Sequence, residues 1–469
     1  MAEPLWTLDA LVAATGGKLD GAATAAVTGV SIDTRSLKPG DLFVALKAER
    51  DGHEFVGKAL ASGAAAALVR SDFTVCGGGA LVRVEDPLKA LERLGIAART
   101  RTQARVLAVT GSVGKTGTKE ALRLCLSRLG ATHASEKSYN NHWGVPLTLA
   151  RLPAGVRYGV FEIGMNHAGE ITPLSRMVRP EIAIITTVGP VHIEFFRDEE
   201  AIADAKAEIF AGLAKGGTAI LNRDNRHFDR LAAHANAAGA GRILAFGRAA
   251  PAQSRPLDIV AEPDGSRVRV LIDGEEVSYR IGAPGEHHVL NSLAVLSAVK
   301  LLGGDLSLAA DALAAASATE GRGARLELKA GSGRVLLIDD SYNANPVSVR
   351  AALAAFASTP RADFARRVVV LGDMRELGAR SAELHADLVN PVIASGADTV
   401  LACGPYMAEL YNRLPARLRG GYAATSEELR ESVTKAVQPG DVIMIKGSLG
   451  SRMGPLVAAL KEHLARLEG

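Results

Sequence analysis

The residues with the clearest chemical signature lie in the stretch RVLAVTGSVGKTGTKEALRLCLSRLG, residues 105–130. A short apolar run predicts a strand, a loop with two glycines follows, and Thr116 is expected to open a helix that ends near Gly130. Backbone N–H groups point inward in such a loop, and the helix N-terminus adds a partial positive charge. The spacing G-x-x-G-K-T is a shortened Walker A pattern. The candidate phosphate-binding residues are Gly111, Ser112, Val113, Gly114, Lys115 and Thr116.

Two side chains of this loop carry specific chemistry. Lys115 supplies a full positive charge for terminal phosphates, and the Thr116 hydroxyl can hold a magnesium ion. A glycine-rich surface turn with an ordinary lysine is the alternative, and the flanking strand and helix argue against it. The loop therefore predicts binding of a nucleoside triphosphate, but it does not say what the phosphate is used for.

Two further candidates follow predicted strands. Glu162 ends the strand in YGVFEIG, and His192 comes a few residues after the apolar run EIAIITTVG. Ligands of open parallel sheets bind at the carboxyl ends of strands, which is also where the glycine loop leaves its own strand. Glu162 there can hold a divalent ion. A solvated strand-end glutamate and a structural, hydrogen-bonding histidine are the alternatives, and these residues alone leave both open.

Lys206 lies at an unusual position in the predicted helix DEEAIADAKAEIFAGLAKGG. It comes four residues after Ile202 and three before Ile209, which places it in the apolar stripe. Desolvation would lower its pKa and leave a neutral amine, which can react with carbon dioxide to form a metal-binding carbamate. The spacing by itself favours a simpler alternative, a lysine that extends along the stripe edge into water.

A second acidic strand end occurs in RVLLIDDSYNANP, residues 334–346. Asp340 resembles the acid of a Walker B strand, which holds magnesium through water, and it can equally bond a ribose hydroxyl. It lies more than 200 residues beyond Thr116, so it would reach a nucleotide from another domain. Arg322 stands between two glycines, which suits a hinge or a phosphate clamp delivered on closure.

The length and composition of the chain limit what these residues can belong to. A chain of 469 residues is too long for one core, and about three domains is the expectation. A net charge of +3 and 4% aromatic residues give no indication of nucleic-acid binding. Cys76, Cys125 and Cys403 are far apart and form no C-x-x-C motif, which predicts a reduced, cytoplasmic protein. Neither a signal peptide nor a membrane span is predicted.

The element pattern predicts an α/β protein of three domains. Residues 1–103 read as a small α/β domain. Residues 104–320 alternate strands and helices as a doubly wound, mainly parallel sheet does, with a small antiparallel addition at 257–281. Residues 321–469 repeat the alternation as a Rossmann-like domain. The predicted strands are 105–110, 158–163, 181–187, 217–221 and 242–246 in the second domain, and 334–339, 367–371, 398–402 and 441–445 in the third.

These motifs together resemble the ATP-dependent Mur ligases of bacterial cell-wall synthesis. The resemblance extends over all three predicted domains and rests on several long motifs in the same order. They are SIDTRSLKPGDLFVAL in the first domain; TGSVGKTGTKE, YNNHWGVPLTL, FEIGMNHAGEI, VGPVHIEFF and DAKAEIF in the second; and LLIDDSYNANP, LGDMRELG and IKGSLGSRM in the third.

The resemblance implies a reaction. ATP would phosphorylate the terminal carboxylate of UDP-N-acetylmuramoyl-tripeptide, and the amine of D-alanyl-D-alanine would displace the phosphate to give the pentapeptide used in peptidoglycan synthesis. Within the family, DDSYNANP with LGDMRELG indicates this reaction, and the D-N-P-R motif of the diaminopimelate-adding enzyme is absent. The first domain would hold the UDP end, the second ATP and Mg²⁺, and the third the dipeptide. We expect a monomer.

The resemblance also assigns roles to residues. Lys115 would neutralise the transferring phosphoryl group, Thr116 and Glu162 would hold magnesium, and His192 with a carbamylated Lys206 would serve a second magnesium. The remaining implied contacts are Asn291, Arg322 and Asp340 for ATP; Asn140 and Asn141 for the substrate; and Ser31, Asp33, Thr34, Arg35 and Ser36 for the UDP end.

Two positions depart from the pattern, and two other functions remain open. Gly117 stands where many relatives have Ser or Thr, and His288 where they often have Asn. A ligase of the folate polyglutamate type would share the loop, Glu162 and Lys206, but the separate first domain argues against it. A regulatory P-loop ATPase would leave both Lys206 and that domain without a role.

Overall fold

Three β-sheets organise the chain in a computed structural model that describes residues 4–21, 26–74, 79–136, 138–316, 320–331 and 333–466. The sheets contain five, nine and six strands, and they follow one another along the sequence. The predicted fold class, three α/β units in series, is confirmed.

The first sheet is small and mostly parallel. Its strand order is β1-β5-β4-β3-β2, and only β1 runs antiparallel to its neighbour. The strands are β1 Lys18–Asp20, β2 Gly29–Ser31, β3 Asp41–Val44, β4 Ala66–Arg70 and β5 Leu81–Val84, and the helices are α1 Leu8–Thr15, α2 Val56–Ala61 and α3 Pro87–Arg101.

The second sheet has the order β14-β13-β12-β11-β10-β9-β6-β8-β7. Pairing is parallel from β7 to β12 and antiparallel from β12 to β14, which is the predicted antiparallel addition. The strands are β6 Arg105–Thr110, β7 Thr132–Ala134, β8 Tyr158–Glu162, β9 Ile182–Ile185, β10 Thr218–Asn222, β11 Arg242–Phe246, β12 Ser254–Glu262, β13 Gly265–Ile272 and β14 Glu275–Ile281. The helices are α4 Lys115–Ser127, α5 Gly144–Ala150, α6 Ile171–Val178, α7 Glu199–Ala207, α8 Phe228–Ala237, α9 Glu286–Leu301 and α10 Leu306–Ala312.

The third sheet has the order β15-β16-β20-β17-β18-β19, with only β15 antiparallel. Its strands are β15 Ala324–Ala330, β16 Gly333–Asp340, β17 Arg366–Gly372, β18 Thr399–Cys403, β19 Arg419–Ala423 and β20 Asp441–Lys446. Its helices are α11 Pro346–Ala357, α12 Ser381–Ala386, α13 Val389–Ala394, α14 Met407–Tyr411, α15 Ser426–Ala436 and α16 Gly454–Arg466. The predicted set of four strands omitted β15 and β19, because β15 alternates apolar and charged residues beside a predicted boundary and β19 carries two glycines.

The central strands are continuous apolar runs because a parallel sheet is covered on both faces. Every residue of β8 and β9 is buried.

Helix starts are set by local capping. Asn345 caps α11 through a reciprocal pair of hydrogen bonds with Ser348, and Pro346 occupies the first helical position, where its missing N–H costs nothing. The segment after Asp340 is therefore a turn that leads into α11.

The first unit packs against α5 and α6 of the second. The indole N–H of Trp6 donates to the carbonyl of Ala150, 2.9 Å away, and the guanidinium of Arg151 donates to the carbonyl of Val30, 2.6 Å away. Gly95 of α3 allows a close helix approach, since a Cβ there would lie 3.1 Å from Leu149. These contacts hold Trp6, β2 and α3 of the first unit against the central unit.

Within the described ranges, no helix is long and apolar enough to cross a membrane. Cys125 and Cys403 are buried free thiols, and Cys76 lies outside the described residues.

Candidate functional site

The glycine loop requires its glycines for conformation and for space. Gly111 has φ +148° and Gly114 has φ +84°, values that side chains rarely adopt. A Cβ on Gly111 would lie 2.0 Å from the Thr186 hydroxyl, and a Cβ on Gly114 would lie 2.8 Å from the amide nitrogen of Asn291. The loop is therefore pressed between the end of β9 and the start of α9, and Asn291 lies directly against it.

The loop is also held by hydrogen bonds. The Ser112 hydroxyl lies 3.0 Å from the carbonyl of Gly189 and accepts the N–H of the same residue. The ammonium of Lys115 folds back onto the carbonyl of Gly111 at 2.7 Å. The Thr116 side chain is buried in the first turn of α4. Lys115 thus lies over the loop in the place that a terminal phosphate needs.

Glu162, at the end of β8, is brought to this loop. The residue is 1% exposed, and Oε1 accepts from the Asn140 amide at 2.7 Å. Its other oxygen, Oε2, has no hydrogen-bond partner among the described residues. The carboxylate is close enough to Lys115 to favour the protonated lysine, although desolvation has the larger effect and lowers the pKa of Lys115. A buried carboxylate with a free oxygen beside a phosphate loop suits a bound cation.

Lys206 lies in the interior beside the same loop. Helix α7 begins at an Asp198 cap, and Lys206 in its last turn is only 2% exposed. Within the described chain, its ammonium has no hydrogen bond or ion pair. Burial lowers its pKa well below the usual value, and the charge of Lys115 lowers it further. The interpretation in which Lys206 extends along the helix edge into water is therefore wrong.

The side chains around the loop include oxygen ligands of the kind that magnesium binds. Mg²⁺ prefers oxygen ligands and keeps several waters, so it needs few protein groups when phosphates are present. The free Oε2 of Glu162 and the buried hydroxyl of Thr116 are suitable. In the part of the chain that the structure describes, no group of three His, Cys, Asp or Glu side chains could hold a metal by itself. The donor set therefore suits a cation shared with a nucleotide.

His192 comes to the same sheet edge, three residues after Gly189. Its backbone has φ +59°, and its ring Nδ1 contacts the carboxylate of Glu376 in the third unit. The hydrogen bond from His192 lowers the pKa of Glu376. The predicted site is thus contacted from the third unit at this point.

Arg322 also joins the second and third units. Its guanidinium donates to the Ser138 hydroxyl at 2.9 Å and stacks over the ring of Tyr342 at 4.2 Å. Its positive charge contributes to the lowered pKa of Lys115, so both cations act on the same loop. Two neighbouring cations favour a polyanionic ligand between them.

Asp340 is already paired in the structure. Lys446, which is 2% exposed, makes an ion pair with it at 2.8 Å and also donates to the carbonyl of Asn343 at 2.9 Å. Burial raises the pKa of Asp340, and Lys446 opposes this effect. Lys446 therefore fixes the carboxylate that was predicted to contact a ribose or a magnesium-bound water.

The rings of His287 and His288 are in contact at the start of α9, with centroids 4.1 Å apart and planes tilted by 41°. Burial lowers the pKa of His287 to about 4, and the nearby Lys446 adds to this. Burial also lowers the pKa of His288 well below its usual value, and the His287 charge adds to it. The departure at position 288 thus places a neutral histidine, not a cation, near the nucleotide loop.

Asn140 and Asn141 have different roles in the structure. The Asn140 amide holds Glu162, as described above. The Asn141 side chain accepts from the backbone N–H groups of Trp143 at 3.2 Å and Gly144 at 2.9 Å, so it starts helix α5 and is otherwise exposed.

The predicted UDP-binding residues form a surface turn that directly follows β2 in the first unit. The Arg35 guanidinium makes a paired contact with the Asp33 carboxylate and is 85% exposed. The hydroxyls of Ser31 and Ser36 donate to the Asp33 carbonyl, and Thr34 is half-buried between them.

A pocket of about 340 Å³ lies between the first and second units. Sequence reasoning did not identify it. Its charged lining comprises two cations, Lys47 and Arg70, and two carboxylates, Glu85 and Asp86, and the lining also includes Leu46, His53 and Trp143.

Sequence reasoning also missed Glu376 and Lys446. Both lie in motifs quoted above, LGDMRELG and IKGSLGSRM; Glu376 follows the buried strand β17, and Lys446 is the last residue of the buried strand β20. The signal was a charged residue at the carboxyl end of a parallel strand, the same signal that identified Glu162.

Three family models match the chain. They are described as the Mur ligase family catalytic domain over residues 26–108, the Mur ligase middle domain over 109–299, and the Mur ligase glutamate ligase domain over 324–449.

Individual proteins are similar over nearly the whole chain. The UDP-N-acetylmuramoyl-tripeptide–D-alanyl-D-alanine ligase of Escherichia coli strain K12 is 35% identical over 461 residues, which cover 97% of this chain and 98% of that protein. A crystal structure of MurF from Acinetobacter baumannii is 30% identical with a TM-score of 0.84 and covers 98% of this chain and 99% of its own. MurF ligase from Thermotoga maritima in complex with ADP is 25% identical with a TM-score of 0.77 and covers 93% of this chain and 98% of its own.

Proposed function

The chain belongs to the Mur ligase family, and we infer that it is the ATP-dependent ligase that joins D-alanyl-D-alanine to UDP-N-acetylmuramoyl-tripeptide. The product is the pentapeptide precursor of peptidoglycan. The observation that carries the proposal is the convergence of Lys115, Glu162 and Lys206 at one phosphate loop, with the charge of Arg322 from the third unit acting on the same lysine.

The residues suit transfer of phosphate to a carboxylate. Such a reaction brings together ATP, a peptide carboxylate and a developing tetrahedral oxyanion, so the site must supply positive charge without water. Lys115 and Arg322 supply fixed cations from opposite units. We propose that Gly111 to Thr116 hold the phosphates, and that Asn291 and Asp340 contact the rest of the nucleotide.

We propose that Thr116 and Glu162 hold one magnesium ion, and that His192 and Lys206, as a carbamate, serve a second. When bound, magnesium lowers the negative charge that repels the attacking carboxylate. The buried, partnerless amine of Lys206 supports this assignment, because a neutral amine is the form that reacts with carbon dioxide. The carbamate would also compensate the positive charge of Lys115.

We propose domain roles with boundaries 1–103, 104–320 and 321–469. The first domain holds the UDP end, through the turn at 31–36 and through the 340 Å³ pocket, where Trp143 offers a ring face and Lys47 a cation. The tripeptide passes Asn140 and Asn141 towards the loop. The third domain brings the dipeptide. We propose that the enzyme acts as a monomer in the cytoplasm, where its nucleotide substrates are found.

The experiment is a measurement of ADP release with each substrate omitted in turn. We expect ADP formation with UDP-N-acetylmuramoyl-tripeptide and D-alanyl-D-alanine together, and a pentapeptide product by mass spectrometry. Equal ADP release without either substrate would favour a regulatory ATPase. Activity with a folate and glutamate would favour the folate polyglutamate type.

A further inference from the structure

The contact between His192 and Glu376 joins two units that are 184 residues apart in sequence. His192 follows β9 of the second sheet, and Glu376 follows β17 of the third. An ionised carboxylate only accepts hydrogen bonds, so the proton must be on Nδ1 of His192. A neutral ring protonated at Nδ1 has its lone pair on Nε2, which faces away from Glu376.

The backbone around this contact is unusual on both sides. His192 has φ +59° and Glu376 has φ +62°, and both are residues with long side chains. A conformation of this kind costs about 1–3 kcal/mol and persists only where surrounding contacts enforce it. Such contacts are present: the N–H of Glu194 donates to the carbonyl of Glu376 at 3.3 Å, and a Cβ on Gly378 would lie 2.9 Å from Glu194.

We propose that Glu376 is a positioning residue for His192. It fixes the ring as the Nδ1–H tautomer, so that Nε2 is the free ligand atom, and it does so only when the third unit is packed against the second. This rests on the proposed function, since it gives Nε2 of His192 its role in the site. Carboxylate–histidine pairs of this geometry raise the basicity of a metal-ligating ring, and their loss weakens metal binding by about 10–100-fold.

An ordinary surface ion pair does not account for the contact. A surface pair of this kind contributes little to stability and needs no particular backbone. Here two left-handed residues, a backbone hydrogen bond and a close glycine approach converge on a single side-chain contact. Packing of the third unit against the second therefore determines which ring nitrogen of His192 carries the proton.

The test is the tautomer of His192 in the full-length protein, measured by long-range ¹⁵N–¹H NMR of protein labelled at histidine. The His192→Asn variant assigns the signals. We expect a protonated Nδ1 and an unprotonated Nε2 in the wild type, and loss of this pattern in Glu376→Ala. Glu376→Gln should retain it, because the amide oxygen still accepts from Nδ1.

Two further variants distinguish loss of the His192–Glu376 contact from a folding defect. Glu376→Asp keeps the charge and tolerates a positive φ, but it is one methylene shorter, so we expect the same change as in Glu376→Ala. Glu383→Ala removes a carboxylate of the same unit that pairs locally with Arg380, and it should change nothing. Melting temperature and circular dichroism report the fold.

A second readout is the Mg²⁺ concentration needed for half-maximal ADP release, which should rise about 10–100-fold in Glu376→Ala and stay unchanged in Glu383→Ala. A His192 ring that keeps Nδ1 protonated in both Glu376→Ala and Glu376→Asp would overturn the proposal. The NMR measurement does not depend on turnover. A wild type that forms no pentapeptide would therefore contradict the proposed function and leave the tautomer result standing.

Discussion

Lys115, Glu162 and Lys206 are ionisable groups that lie together in or beside the protein interior. Glu162 and Lys206 are 1% and 2% exposed, and neither has a full set of hydrogen-bond partners within the described residues. Burying an ionisable group without hydrogen-bond partners destabilises the fold, and such groups occur at functional sites. Each is thus a place where one substitution tests one role.

Lys206→Ala removes the group proposed to become a carbamate. We expect kcat to fall by about 10²–10³-fold, because the variant loses a charge that acts on the transferring phosphate. Bicarbonate together with a short carboxylic acid should partly restore the rate of ADP release, since the acid can occupy the vacated space. Lys215→Ala, an exposed lysine of the same segment, is the control. Wild-type activity in the unrescued variant would remove Lys206 from the site.

Glu162→Gln preserves the shape and the acceptor for Asn140 but removes the charge. We expect a kcat lower by about 10²-fold and a greater need for Mg²⁺ in a titration of ADP release. Glu181→Gln changes an acid that pairs with Arg105 at the opposite edge of the sheet, and it should behave as wild type. An unchanged Mg²⁺ titration in Glu162→Gln would show that this carboxylate does not hold the ion.

At the scale of elements, the site is produced by the order of the central strands. Strand β6 lies between β8 and β9, so the loop after β6, the acid at the end of β8 and the segment after β9 meet at one edge. The chain runs from β6 to β7 and β8 on one side and then crosses to β9 on the other, so the strand order reverses beside β6 and a crevice opens at the carboxyl ends of the strands. The glycine loop occupies that crevice.

The glycines of this loop allow a matched test. Gly111→Ala would place a methyl group 2.0 Å from the Thr186 hydroxyl at a φ of +148°, so we expect ATP affinity to fall by more than about tenfold. Gly117→Ala lies two residues into α4, where a Cβ meets nothing within 4 Å. It should keep ATP binding and stabilise the helix by up to about 1 kcal/mol. Calorimetric titration with ATP compares them, and equal affinities would mean that the loop adjusts freely.

The sequence predicted most of the elements that form the site, but fewer of the contacts between the units. Lys115, Glu162 and the α/β alternation could be predicted because each depends on a local pattern, a glycine spacing or an apolar run that ends in an acid. The burial of Lys206 could not be decided from spacing, because stripe position does not distinguish a buried lysine from one at the stripe edge. Glu376 and Lys446 depend on how the third unit packs against the second, and no local pattern contains that information.

At the scale of the whole molecule, the third unit completes the site. Arg322 of this unit donates to Ser138, and Glu376 contacts His192. Val347 packs close to Gly189, since a Cβ on that glycine would lie 2.7 Å from the Val347 side chain. Each contact reaches a segment next to the nucleotide loop. Under the proposed function the chemistry depends on domain packing, so we expect conditions that weaken packing to weaken catalysis.

Acid is one such condition. The pKa of His287 falls from 6.5 to about 4 on folding, so protonation favours the unfolded state. The unfolded state therefore binds this proton first as the pH falls below 6.5. The free energy of unfolding decreases between pH 6.5 and pH 4, by about 3 kcal/mol at most. In urea unfolding from pH 7 to 4, His287→Gln should lose less stability than the wild type. Parallel loss in both proteins would assign the acid sensitivity to other groups.

The central claim is that the phosphate of ATP is transferred to the peptide carboxylate. The most direct measurement uses UDP-N-acetylmuramoyl-tripeptide labelled with ¹⁸O in its terminal carboxylate, incubated with ATP and D-alanyl-D-alanine. We predict one ¹⁸O atom in the inorganic phosphate for each pentapeptide formed, because the acyl phosphate releases the oxygen that it took from the carboxylate. Phosphate without the label, with ADP formed at the same rate, would contradict the account.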